Sequence, residues 1–207
     1  MDAIKVNVYT FLLAGYETTS TALGYAAWLL AKHPDKQALL QEEIDKHLQN
    51  ESDYSYGVVL KLPYLDAFFR EALRMYPPVC GFAVRQCVKD CEIAGYKFKK
   101  GVQVAIPEWD IQHDPENWPE PEQFKPERFL NGKDYHIMSW VPFGAGPRNC
   151  VGMRFADMEY KLALVRLLKN YSLRFGEGSE EQLQISQTGF IVRPKNGVKI
   201  KVIKRQL

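Results

Sequence analysis

An almost uninterrupted apolar run from Val6 to Ala31 limits how the first part of this chain can fold, because its middle is polar: Glu17 is followed by Thr18, Thr19, Ser20 and Thr21. An acid at the centre of a membrane span costs about 2.5 to 3.5 kcal/mol on insertion scales. The run therefore predicts a helix buried in a protein core, apolar on nearly all sides, whose internal polar island is a candidate functional site. Lys5 precedes the run but no small-residue cleavage site follows, so a signal peptide is not expected.

With 207 residues, 46% hydrophobic and 13% aromatic, the chain reads as a globular protein of one or two domains. A net charge of +2, with no arginine-rich stripe and no zinc-finger spacing, excludes nucleic acid as a partner. Four cysteines, Cys80, Cys87, Cys91 and Cys150, are too few for a disulfide scaffold and form no Cys-x-x-Cys pair. Neither a metal ribbon nor a thioredoxin-type site is expected, and reduced thiols are the default.

Residues 33–50, with Pro34 at the start, predict a second helix on the surface, and 50–57 a loop. Residues 62–78 predict a third helix, opened by Pro63 and stopped by Pro77 and Pro78. From Val79 to Ile106, short β-like runs punctuated by Gly95 and Gly101 predict a small sheet. Residues 108–135 are rich in Pro, Trp and charge; so long a connection must be functional or tightly pinned. A fourth helix is expected over Val151–Asn170, followed by strands and hairpins, which makes the fold class mainly α with small β-sheets.

Cys150 stands just ahead of that fourth helix, behind Gly144 and Gly146 and beside Arg148. Helix-terminal N–H donors and a cation favour a thiolate there, and glycines let a flat partner approach the backbone. Most free cysteines are buried and inert, so this context alone leaves a ligand and a core thiol evenly matched.

Phe143, Gly146, Arg148, Cys150 and Gly152 spell Phe-x-x-Gly-x-Arg-x-Cys-x-Gly, which resembles the haem-binding loop of the cytochrome P450 family, where the cysteine is the axial iron ligand. "EALR" supplies Glu71 and Arg74, which resemble the family's Glu-x-x-Arg pair, and "KPERF" supplies Arg128, the third member of that charge cluster. "AGYETTS" resembles the oxygen-activation motif: Ala14 and Thr18 share a helix face, with Thr18 placed to bond back one turn and loosen the ladder. The resemblance implies Thr18 as the partner of bound dioxygen and Glu17 in proton relay. It implies Arg148 and Arg85 as haem-propionate partners, Phe143 as a shield of the thiolate side, and Val79–Val84 with Gly189–Ile191 as substrate-lining segments. The family's frequent histidine before "DP" is displaced here, Gln112 and His113 preceding Asp114.

The wording is most similar to animal microsomal members that oxidise steroids and drugs. The fold implied is the carboxy-terminal half of the family's, with residues 1–207 a single partial domain. The amino-terminal half, with its membrane anchor and pocket-roofing helices, is expected to be absent, leaving the long apolar helix exposed. The implied cofactor is haem b (iron protoporphyrin IX), and the implied reaction inserts one oxygen atom from dioxygen into a lipophilic substrate. Electrons would come from NADPH through NADPH-dependent cytochrome P450 reductase, with Lys133 and Arg154 flanking the docking face and the endoplasmic reticulum membrane as the location. Two other readings stand beside this one: an inactive fragment or interaction module, and a haem-thiolate isomerase needing no external electrons, which the intact Glu17–Thr18 pair disfavours.

Overall fold

A computed structural model describes residues 2–130, 132 and 135–206; Lys133 lies outside them. The chain forms six α-helices among the described residues: α1 (Asp2–Lys32), α2 (Pro34–His47), α3 (Tyr56–Val59), α4 (Pro63–Met75), α5 (Glu108–His113) and α6 (Met153–Asn170). Eight short strands pair as four two-stranded antiparallel ribbons: β1 (Val84–Gln86) with β4 (Gln103–Ala105), β2 (Cys91–Ile93) with β3 (Tyr96–Phe98), β5 (Tyr171–Arg174) with β8 (Lys201–Lys204), and β6 (Ile185–Thr188) with β7 (Ile191–Pro194). The fold is mainly helical with small sheets.

α4 is the hub. Its apolar positions Leu65, Phe68, Phe69, Ala72 and Leu73 follow the helical repeat and meet Leu29 and Leu30 of α1, Leu40 and Ile44 of α2, and Leu164, Val165 and Leu168 of α6 in one core. Pro63 occupies the first turn, where a missing N–H does no harm. The cap residue Leu62 has no side chain to offer, so α2 supplies one: Glu43 accepts from the backbone N–H of Tyr64 (2.8 Å) and of Leu65 (2.9 Å). Gln37 of α2 performs a similar service at the other edge of the core, donating to Leu30 O and Leu173 O and accepting from Leu173 N at 2.6 Å, so one amide ties α1 to β5.

Four expectations need correction. α1 is not a wholly buried helix. Its burial begins at Thr19, while Ile4, Val6, Tyr9, Phe11, Leu12 and Tyr16 face solvent with no core against them. Residues 50–57 are not a plain loop: a 3-10 turn spans Glu51–Tyr54, anchored by Asp53 accepting from Asn50 N at 2.8 Å, and α3 begins at Tyr56. The sheet expected over Val79–Ile106 is two separate ribbons, because the Ala94–Gly95 turn, both residues at positive φ, folds β2 back on β3 and leaves β1 to pair with β4. The fourth helix starts at Met153, two residues later than expected, since Val151 and Gly152 are spent on a turn.

Candidate functional site

The site is built outward from the buried charges of α4. Glu71 and Arg74, one turn apart, are both fully buried. Arg74 Nε donates to Glu71 Oε2 at 2.7 Å and Nη2 to Oε1 at 2.9 Å, a two-pronged grip that fixes both side chains. A buried pair of this kind persists only if its remaining donors and lone pairs are satisfied. They are: Arg74 Nη1 reaches Gln112 O (2.9 Å), Nη2 reaches Pro121 O (2.8 Å), and Glu71 Oε1 accepts from Lys125 N (2.9 Å) and Arg128 Nε (3.3 Å). Arg128 in turn donates to Glu120 O at 2.7 Å. The long 108–135 connection is thus pinned to α4 through its own backbone, and Glu71, Arg74 and Arg128 are brought together.

Gln112, at the end of α5, carries the pinning on toward Cys150. Fully buried, it donates to Leu73 O and Arg74 O, each at 3.2 Å, and accepts from Val141 N at 3.1 Å. His113 beside it stacks on Trp109 and bonds that residue's carbonyl oxygen at 2.8 Å, so neither residue of the displaced pair is free. Trp140 Nε1 donates to Arg70 O at 3.0 Å, and Phe143 packs between Trp140 and Phe69, 6.2 Å from each. Residues 140–143 are therefore nailed to α4.

Beyond Phe143 the chain leaves the core. Gly144 (φ +69°) and Gly146 (φ +77°) turn it through the left-handed region, where a side chain would strain the backbone. Gly144 N donates to Val141 O, and Cys150 N donates back to Phe143 O at 2.8 Å, closing the loop. A Cβ on Gly146 would meet nothing within 4 Å, so that flank is open. Cys150 ends the loop exposed, and its sulfur makes no hydrogen bond among the described residues. Cys80 is its opposite: buried, with its thiol pushed up to about 12 by burial and then by Glu108 and Asp110. Gly152, the cap of α6, lies close behind, and a Cβ there would stand 4.0 Å from the Cys150 sulfur, an ordinary contact.

Arg148 and Arg85 are exposed and enter no ion pair among the described residues; Arg85, on β1, only donates to Val84 O at 3.0 Å. Ala14, Glu17 and Thr18 occupy α1, which packs on α6 through the core. Thr18 Oγ1 donates to Ala14 O at 2.7 Å, yet α1 runs through these residues as unbroken α-helix, so the back-bond does not open the ladder as expected. Glu17 accepts from Arg193 Nη1 of β7 at 3.1 Å, a partner far along the chain that nothing local to either residue marks. The Val79–Val84 and Gly189–Ile191 segments meet through a Val79–Ile191 bridge, which sets Phe82 and Phe190 4.9 Å apart on the surface. None of these residues lines the open cleft of about 640 Å³ beside Trp28, His33 and Tyr76.

A thiol at the rim of an open glycine turn, two cations free of carboxylates and a stretch of exposed apolar side chains would suit a flat, largely apolar, anionic partner carrying a thiophilic metal. Comparison with known proteins bears on this. The family described as Cytochrome P450 matches residues 1–202. Cytochrome P450 3A13 of Mus musculus is 45% identical over 197 residues, 94% of this chain and 39% of that protein. Cytochrome P450 3A6 of Oryctolagus cuniculus is 44% identical over 209 residues, 99% of this chain and 41% of that protein. The chain thus spans about two-fifths of the length of the relatives it matches.

Proposed function

Because the chain belongs to the cytochrome P450 family, we propose that residues 1–207 form one unit, the carboxy-terminal part of a haem-thiolate monooxygenase, with Cys150 as axial iron ligand. The observation that carries this reading is the Cys150 sulfur, presented unbonded and exposed on a glycine turn whose base is fixed by the α4 network. The residues present fit haem b. Sulfur suits the iron, the Gly144–Gly146 turn leaves room for a ring, and Arg148 and Arg85 have charge to spare for propionates. When bound, haem b would supply dioxygen activation, with one oxygen atom passing to a lipophilic substrate and electrons drawn from NADPH through a cytochrome P450 reductase.

The chain's own groups do the positioning and proton handling. Thr18 parks its hydroxyl proton on Ala14 O, and rotating away from that carbonyl frees it as a donor. Glu17, part-exposed and held by Arg193, can take a proton from water and present it next to Thr18. Phe82 and Phe190 offer an apolar wall to the substrate. Phe143, packed between α4 and the loop, keeps water from the inner side of the sulfur. Exposed Arg154, at the start of α6, is available to a negatively charged redox partner. Location at the endoplasmic reticulum membrane rests on the family resemblance; among the described residues no helix is long and apolar enough to cross a membrane.

Reconstitution of the chain with haem, followed by reduction and addition of carbon monoxide, tests the assignment. A thiolate-type Soret band, lost in Cys150→Ser, is expected. A histidine-type band, or a spectrum unchanged in Cys150→Ser, overturns it.

A further inference from the structure

A pair of cysteines, Cys87 and Cys91, lies outside that site. Cys87 directly follows β1 and Cys91 opens β2, and the intervening Val88, Lys89 and Asp90 fold so that the two sulfurs stand 3.5 Å apart. Both residues are part-exposed and neither is bonded to another cysteine. The surrounding backbone holds them there. Cys87 N donates to Val102 O at 2.8 Å and Gly101 N donates to Cys87 O at 2.7 Å. Cys91 is paired opposite Phe98 in the β2–β3 ribbon. Asp90 accepts from Lys99 Nζ (2.8 Å) and Lys100 N (2.9 Å), which anchors the tip of the connection. The sulfurs of this five-residue segment therefore already stand near each other, and bonding them asks that 3.5 Å close to about 2.0 Å.

We propose that Cys87 and Cys91 form a dithiol site that exchanges with low-molecular-weight disulfides and closes to an intramolecular disulfide. In the first step one protein thiolate attacks a sulfur of the small disulfide, a mixed disulfide forms, and one small thiolate leaves. In the second, the other cysteine gives up its proton to solvent and attacks the protein-side sulfur, releasing the second small thiolate. The protein pair loses two electrons and two protons, and the small disulfide gains them as two thiols. Cys91 is held above the usual thiol range, first by its hydrogen bond with Cys87 and then by burial. The closed form would tether β1, and with it Arg85, to the β2–β3 ribbon.

The test needs no loss of fold. The full chain is equilibrated with mixtures of reduced and oxidised glutathione, alkylated, and cleaved with trypsin, which separates Gln86–Lys89 from Asp90–Lys97. The expected product is those two peptides joined, lighter than their sum by two hydrogens and separated by dithiothreitol, with Cys80 unmodified. Cys87→Ser and Cys91→Ser should each accumulate a glutathione adduct on the remaining cysteine that the parent chain does not. Two results overturn the proposal: Cys87 and Cys91 both staying alkylatable throughout, or the parent chain accumulating separate glutathione adducts as heavily as the single variants.

Discussion

Glu71 has four donors on two oxygens and is fully buried, so its removal leaves two guanidinium groups without their carboxylate. Glu71→Ala is expected to lower stability by about 3–5 kcal/mol, read from the urea midpoint, because it strands a buried charge. Gln112→Leu keeps the volume but leaves Val141 N, Leu73 O and Arg74 O unmatched. A loss of about 1–3 kcal/mol is expected, with reduced haem retention on a desalting column because the loop base loosens. How far these residues could be read in advance depends on sequence distance. Glu71 and Arg74 are legible because one helical turn joins them, and Arg128 enters only through family resemblance. Gln112 and Arg193 act on partners far along the chain, and nothing local to either marks it.

Among the elements, the long helices announce themselves through the spacing of their apolar residues, helped in α2 and α4 by a proline at the start, and α2, α4 and α6 fall within three residues of expectation at each end. What escapes is anything shorter than two turns, such as α3, α5 and the 3-10 turn at Glu51–Tyr54, where one side chain such as Asp53 decides the outcome. The joins between elements are equally silent in sequence. Asp66 of α4 accepts from Arg70 at 2.6 Å and from Lys161 of α6 at 2.7 Å. Burial draws its pKa up, but Lys161 and Arg70 draw it further down, leaving it below the ordinary carboxylate range. A depressed carboxylate contributes stability that is present above its unfolded pKa of about 3.9 and lost as pH falls through the folded value. The stability gap between the parent chain and Asp66→Asn should therefore be widest near neutrality and close below about pH 4, as followed by thermal melts across pH. Glu43→Ala removes the α4 cap that α2 lends, and a loss of about 0.5–2 kcal/mol is expected in the same melts.

For the molecule as a whole, one end of α1 presents Ile4, Val8, Phe11, Leu12 and Tyr16 to water, a surface far more apolar than a solvated helix face. Purified alone, the chain should bind hydrophobic dyes and self-associate in sedimentation experiments. Leu12→Glu should weaken that association without shifting the melting temperature, since nothing in the core touches Leu12. The charge network has a different reach. Glu71 engages position 125 through its peptide nitrogen, and Arg74 engages positions 112 and 121 through their carbonyl oxygens, so the clamp on the connection ignores which side chains stand at 121 and 125. Lys125 could drift to almost any residue during evolution with the clamp intact; only proline, which has no hydrogen to lend, would unfasten it.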